Sequence, residues 1–354
     1  MHSMTGDLEF IPVRPASEPT ATAQIRHLLA LCQLDMDCDI DIFVSARIGG
    51  KLVACAGLSG NIIKCVAICP DLRGESLSLK LVSEVVQLAA DRGHFHLFLY
   101  AKPENVPFFQ GCGFYPLVEV PGKIVLMENS PVAMQRYCER LAQEQHVAGQ
   151  EIGCIVMNAN PFTLGHRYLA EQAAAQCDWL HVFVVREDLS LFPYSDRYRL
   201  VAQGLTGIDR LTLHHGSEYM ISRATFPGYF LKDKGIIDSC HTAIDLLLFR
   251  EYLAPALGIT RRFVGTEPFC PVTEKYNQDM KYWLQQAESA APAIAVHEIE
   301  RTSLEGTPIS ASEVRRLLSV NDFGHIGRLV PDSTLQLLLC KYAQDATACH
   351  KAYG

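Results

Sequence analysis

Apolar and polar positions along this chain follow two different rhythms. Over residues 43–58 short apolar runs flank Gly49-Gly50, the pattern of a strand, a turn and a second strand, and residues 61–68 read as a third. Leu77, Leu81, Val85, Leu88 and Ala89 then recur at helical spacing. Residues 94–100 form a buried strand, and residues 104–111 a short helix ending in Gly111-Cys112-Gly113-Phe114. After Gln150 the rhythm changes. Apolar strands at 151–157, 179–185, 210–216, 261–265 and 293–299 alternate with helical segments at 166–177, 196–205, 242–257 and 273–287.

The expected fold is therefore α/β, with an α+β unit over residues 1–130 and a doubly wound parallel sheet with C-terminal helices over residues 150–354. Residues 131–149 are a linker helix, with Pro131 in its first turn and an apolar stripe of Met134, Tyr137, Cys138 and Leu141. In an open sheet of this kind ligands bind at the carboxyl ends of the strands.

Composition narrows the class. A chain of 354 residues is long enough for two domains, and 49% hydrophobic with 20% charged residues is the balance of a globular enzyme. A net charge of -8 argues against broad nucleic-acid binding, which needs a basic surplus. The 13 cysteines are odd in number, include no CxxC and fall in apolar segments, so they read as reduced structural thiols of a cytoplasmic protein. The opening MHSMTGDLEF has no leader pattern. Apolar runs such as 243–249 fall far short of the ~20 residues of a membrane span.

Two segments carry chemistry. Asn158-Ala159-Asn160-Pro161-Phe162-Thr163-Leu164-Gly165-His166 follows the first strand of the parallel sheet and opens a helix, where amide groups and the helix dipole favour anions. Gly165 lets backbone come close, and His166 stands at the helix start. Thr307-Pro308-Ile309-Ser310-Ala311-Ser312-Glu313-Val314-Arg315-Arg316 follows the last strand, and Ser310 with Glu313 three residues on reads as a capping box. A Ser-x-Ser before a helix is by itself only a cap. Paired with Gly165-His166, in this order and context, it points to a site for a nucleotide triphosphate. Lys232, Lys234, Arg186, Arg197 and Arg223 read as loop cations, mostly surface charge. His214 and His215 are left unassigned.

Residues 10–127 resemble the acetyltransferase superfamily that uses acetyl-CoA. The CoA-phosphate loop of that family is Arg/Gln-x-x-Gly-x-Gly/Ala, whereas this chain has Arg73-Gly74-Glu75-Ser76-Leu77-Ser78. Serines at both later glycine positions and a carboxylate beside an anion site favour a structural or partner-docking module over a catalyst. The 158–166 and 307–316 segments resemble the two signatures of the nucleotidylyltransferase superfamily. That resemblance implies that His166 stabilises charge on the α-phosphate, that Thr163 gives a hydroxyl to the phosphates, and that Ser310, Ser312 and Arg315 hold the β- and γ-phosphates. It also places Asn158, Asn160, Phe162, Gly165, Gly265, Glu267 and Lys232 around the nucleotide, with Gly265 and Glu267 beside the adenine.

An acetyltransferase-like half ahead of a nucleotidylyltransferase half, with the runs VVREDLSLFPYSDRYRLV, ATFPGYFLKD and VGTEPFCPVTEKYN, is similar to the citrate lyase ligase family over essentially the whole chain. This implies an ATP-dependent, AMP-forming acid–thiol ligase. Acetate would become acetyl-AMP with Mg²⁺ bound through the phosphates, and the acetyl group would pass to the CoA-derived thiol of the citrate lyase acyl carrier subunit. The alternative is an adenylyltransferase making a nucleotide cofactor, similar to phosphopantetheine adenylyltransferase. An acyl-CoA-sensing protein with a regulatory second half is a further rival, disfavoured by Ser76 and Ser78.

Overall fold

Two sheets organise the chain in the computed structural model, which describes residues 7–72, 75–143, 151–186, 190–221, 226–231, 233–266 and 271–343. The chain divides into two units, Met1–Arg136 with Thr225–Ile244, and Tyr137–Ala224 with Asp245–Gly354. Nothing in the local periodicity marks the excursion of 225–244 into the first unit.

The first unit runs β1 (Leu8–Val13), α1 (Pro19–Leu31), β2 (Ile42–Ile48), β3 (Lys51–Ser59), β4 (Ile62–Ile68), α2 (Glu75–Asp91), β5 (Phe98–Ala101), α3 (Val106–Gly111), β6 (Tyr115–Val120) and β7 (Ile124–Glu128). Its sheet has the order β1-β2-β3-β4-β5-β7-β6. Gly49 and Gly50, at φ 54 and 77, make the β2–β3 turn that the sequence predicts, in a region that L side chains avoid. The helical stripe of α2 buries Leu81, Val82, Val85 and Ala89 against Val44, Ala54, Ala56 and Leu99 on one face of the sheet. On the other face Ile25, Leu28 and Leu29 of α1 pack with Phe43, Cys55 and Cys65.

The parallel strands β4 and β5 pair only at Ile62↔Phe98 and Ile63↔Leu99. Beyond that short ladder, the 225–244 excursion takes over part of the packing. The Tyr229 hydroxyl donates to the Tyr100 carbonyl at 3.3 Å, and Phe226 meets the Tyr100 ring edge-on at 4.9 Å. The Asp35 amide donates to the Tyr229 carbonyl at 2.8 Å, and the Gly228 amide to the Asp37 carboxylate at 3.2 Å. Asp37 also faces Lys64 of β4, whose ammonium is 1% exposed and lies 2.7 Å from Asp39 and 3.2 Å from Asp37. Burial raises the Asp37 carboxyl above its ordinary range, against the pull of Lys64.

After α4 (Ala133–Gln143), the second unit contains β8 (Ile152–Met157), α5 (Leu164–Ala174), β9 (Trp179–Val184), α6 (Tyr194–Gly204) and β10 (Leu211–His215). Helix α7 (Lys234–Leu248) begins in the excursion and ends in this unit. There follow α8 (Ala254–Leu257), β11 (Arg261–Gly265), α9 (Pro271–Lys281), β12 (Ala295–Ile299), the hairpin β13 (Ser303–Leu304) and β14 (Thr307–Pro308), α10 (Ala311–Ser319), α11 (Phe323–Ile326) and α12 (Asp332–Tyr342). The helix expected at 242–257 starts earlier and widens at its end, where the Ala254 amide reaches back five residues to Phe249. The helix expected at 273–287 widens likewise, Ala287 bonding to Tyr282 at 2.8 Å.

The sheet is wholly parallel, in the order β10-β9-β8-β11-β12. Chain order reverses at β8, which has β9 on one side and β11 on the other. The β8–β11 ladder holds only Gly153↔Arg261 and Cys154↔Arg262, so pairing stops well before the carboxyl ends and leaves the crevice that a doubly wound sheet offers a ligand. Cys154 and Cys177 here, like Cys55 and Cys65 in the first unit, are buried and unbridged. Burial pushes the thiols of Cys65 and Cys154 up to about 12, which suits packing and not nucleophilic chemistry. Among the described residues no helix is long and apolar enough to cross a membrane.

Candidate functional site at the switch point of the parallel sheet

The turn after β8 is built around His166. Thr163 caps α5 in extended conformation, its side chain accepting from the His166 amide. The Thr163 amide in turn donates to His166 Nδ1 at 3.0 Å, a capping box in which the usual Glu is replaced by imidazole. Thr163 Oγ1 lies 2.8 Å from the same Nδ1. Because Nδ1 accepts the amide hydrogen, the ring proton is assigned to Nε2, and the neutral imidazole is a donor on its far side. Desolvation, helped by the positive charge of Arg301, lowers the His166 pKa to about 4. The Phe162 ring stacks on the imidazole at 5.5 Å and 24°. Phe162 is fully buried, and Gly204 of α6 lets it sit there, since a Cβ at that position would lie 2.2 Å from Phe162 Cε1.

The second segment meets this turn directly. A Cβ on Gly165 would lie 3.0 Å from the Ile309 carbonyl oxygen and 3.4 Å from Thr163 Oγ1, so the glycine sets how closely α5 approaches the hairpin exit. Arg315 of α10 donates to the Asn160 carbonyl. Ser310 caps α10 by accepting from the Glu313 amide at 3.2 Å, with Ser312 Oγ at 3.1 Å from its own Oγ. The other half of the expected capping box does not form. Glu313 turns to Arg316, at 2.6 and 2.8 Å, because an Arg three residues on is a stronger partner for an exposed carboxylate than a single amide.

Other predicted residues serve the loops. Asn158 joins Ser190 and Arg197, and Asn160 accepts from the Phe192 amide at 3.1 Å, so both amides tie the β8 turn to the segment after β9. Arg197, read as surface charge although it falls in the helix expected at 196–205, is buried in α6 with 0% exposure. It donates to the carbonyls of Asn158 and Val185, just past the ends of β8 and β9, and of Phe192, just before α6, at 2.7 to 3.0 Å, which gives a buried guanidinium its partners. Arg186 is exposed with its guanidinium 5.4 Å from the Tyr194 ring centre, and Lys234 is exposed at the start of α7. The Thr163 hydroxyl, expected at the phosphates, is buried and engaged with His166. Gly265 ends β11, and its carbonyl accepts from Asn277 Nδ2 at 3.1 Å. Glu267, Lys232 and Arg223 lie outside the described residues.

One residue at the site escaped the sequence pattern. Arg301 follows β12, donates through Nε to the Thr266 carbonyl at 2.7 Å, and lies near enough to His166 to depress its pKa. The described residues that converge at the crevice thus offer imidazole, hydroxyl and guanidinium groups, a set suited to phosphate oxygens. Among the described residues no cluster of three or more His, Cys, Asp or Glu side chains suits a metal ion.

The family model described as the citrate lyase ligase C-terminal domain matches residues 152–338. The citrate (pro-3S)-lyase ligase of Escherichia coli is 54% identical over 338 residues, covering 95% of this chain and 96% of that protein. The proteins of the same name from Klebsiella pneumoniae and Haemophilus influenzae are 54% and 48% identical, covering 89% and 92% of this chain and 92% and 97% of their own lengths. Among solved structures, Escherichia coli ElaA is 20% identical with a TM-score of 0.31, covering 35% of this chain and 100% of that one. An acyl-CoA N-acyltransferase from Pseudomonas aeruginosa is 18% identical with a TM-score of 0.31 and the same coverage.

Proposed function

The chain belongs to the citrate lyase ligase family, a ligase that activates citrate lyase, and on that footing we propose that it does so by adenylating acetate at the β8–β11 crevice and passing the acetyl group to a carrier thiol. The observation that carries the proposal is the contact of the two signature segments. Gly165 lies against the Ile309 carbonyl and Arg315 against the Asn160 carbonyl, which gathers His166, Ser310, Ser312 and Arg315 at one strand-end crevice.

The chemistry follows from this donor set. An acetate oxygen attacks the α-phosphorus of ATP in line, the bond to the bridging oxygen breaks, and pyrophosphate leaves with its electron pair. Nε2–H of neutral His166 donates to an α-phosphate oxygen as charge accumulates there. Ser310, Ser312 and Arg315 hold the outer phosphates, so that no covalent bond to the protein is needed. Thr163 acts through His166, fixing its tautomer. Mg²⁺ brought in with ATP would supply charge neutralisation, a role that the neutral and cationic side chains of the site leave to it. In the second step the carrier thiol releases its proton to solvent, its sulfur bonds to the acetyl carbonyl carbon, and the C–O bond to AMP breaks as AMP leaves with the electron pair.

We assign the first unit to docking the acyl carrier subunit and its CoA-like arm. Ser76 and Ser78 stand in α2 where a CoA loop would need glycine, and Ser78 is buried, so acetyl transfer from free acetyl-CoA is disfavoured. The unbridged buried cysteines support a cytoplasmic location.

Exchange of labelled pyrophosphate into ATP, run with a panel of small carboxylates, tests the adenylation step. Exchange is expected with acetate. Exchange that needs phosphopantetheine and ignores acetate would replace this reading with a cofactor-making adenylyltransferase.

A further inference from the structure

We infer that Arg301 is a further phosphate-binding residue of this site, holding the β-phosphate of the nucleotide and the pyrophosphate that departs from it. The inference rests on the adenylation reading above and adds to it a residue that neither signature contains.

Three features of the backbone put Arg301 there. It lies two residues past Ile299, the end of β12, at the carboxyl edge of the sheet. The Arg301 amide donates to Thr266 Oγ1 at 3.3 Å while its Nε donates to the Thr266 carbonyl at 2.7 Å, so the side chain is held at both ends against the residue after β11. The β13–β14 hairpin then fixes what lies opposite. Its ladder pairs Leu304 with Thr307 and Ser303 with Pro308, and the next rung is closed by the Ile309 amide donating to the Thr302 carbonyl at 3.1 Å. Arg301 and Ser310, the first hydroxyl of the phosphate-binding segment, flank that Thr302–Ile309 bond one residue outside it on either side. Glu305 and Gly306, at φ 52 and 82, close the hairpin tightly enough for this register to hold.

The electrostatics agree. Arg301 acts on His166 as a like charge, which agrees with a guanidinium close to the imidazole on α5. A cation there is within reach of the bridging and β-phosphate oxygens of a triphosphate whose α-phosphate is at His166. Gly265 lies beside it, a Cβ there reaching the Arg301 side chain at 3.7 Å, an ordinary contact distance. A fixed guanidinium offers planar, charge-assisted hydrogen bonds to phosphate that a lysine ammonium does not reproduce.

The test compares Arg301→Gln, Arg301→Lys and Arg301→Ala with the wild-type full-length chain in two measurements. Calorimetry with pyrophosphate plus Mg²⁺ reads binding without chemistry, and acetate-dependent pyrophosphate exchange reads turnover. Loss of a charged hydrogen bond predicts pyrophosphate binding weaker by about 10- to 100-fold in Arg301→Gln, with a parallel rise in KM for ATP and KM for acetate within about two-fold. Arg301→Lys recovers part of the loss, and guanidinium ion restores exchange to Arg301→Ala, a rescue that a merely structural arginine would not show. Equal pyrophosphate affinity in wild type and Arg301→Gln overturns the inference, as does a rise confined to KM for acetate. Should Arg301→Gln lose its thermal transition, Arg301→Lys decides by the same two readouts. A wild type that binds pyrophosphate through Arg301 yet shows no exchange with any carboxylate would refute the adenylation step and leave the phosphate contact standing.

Discussion

The dual role of His166 can be separated by substitution. Its Nδ1 closes the α5 capping box, and its Nε2 faces the proposed α-phosphate. Replacement by Ala removes both. The lost cap costs about 1 kcal/mol of stability, and the lost donor costs exchange about 100- to 1,000-fold. Replacement by Asn is different, because its carboxamide oxygen reaches the Thr163 amide where Nδ1 does at 3.0 Å, while nothing extends to the Nε2 position. His166→Asn is therefore expected to lose exchange as His166→Ala does, yet to keep wild-type stability to within about 0.5 kcal/mol in urea unfolding. The pH dependence is a second check. With the folded pKa at about 4 against 6.5 for an unperturbed imidazole, the ring stays neutral at neutral pH, and exchange shows no His166 titration near 6.5. In the same window the unfolded chain binds the proton first. His166 thus contributes stability that is complete above about 6.5 and is lost as pH falls toward 4. Near-wild-type exchange by His166→Asn, or a half-drop in wild-type exchange near pH 6.5 that vanishes in the variant, would refute the assigned tautomer and its role.

Further predictions concern packing. Gly165→Ala puts a methyl group 3.0 Å from the Ile309 carbonyl and pushes α5 off the hairpin exit; exchange is expected to fall about 10-fold with little change in melting temperature, read by parallel kinetics and thermal scans. Gly204→Ala meets Phe162 at 2.2 Å and is expected to cost about 1–3 kcal/mol in urea unfolding. Lys64→Met leaves Asp37 and Asp39 without their buried cation and is expected to cost about 3 kcal/mol, partly restored when Asp37→Asn is added.

The site was legible where local chemistry dictates geometry. Ser310 announces a helix start because its hydroxyl can satisfy a free amide there, and α10 begins at the next residue; Thr163 caps α5 in the same way, although the pattern pointed its hydroxyl at the phosphates. The central strands β8 and β9 were legible from their apolar runs, since strands buried on both faces admit little else, while the edge strands β10 and β12 are only partly buried and show a weaker apolar run. Illegible features depend on partners distant in sequence. Arg197 reads as surface charge because arginine seldom goes inside, and only the joint arrival of the Asn158, Val185 and Phe192 carbonyls makes its burial favourable. Arg301 belongs to no local pattern and gains its place from Thr266, 35 positions earlier. The Glu313 carboxylate had two local options, and charge decided for Arg316.

The excursion of Thr225–Ile244 bears on how this polypeptide can be taken apart. A single cut in the 131–149 linker would strip Phe226 and Tyr229 of Tyr100, and leave Asp37 without the Gly228 amide. Neither product would be self-sufficient, so fragment complementation or gene fission at that point should fail where a true two-bead architecture would tolerate it. The chain stays one piece because it passes between the units three times, at 136/137, 224/225 and 244/245.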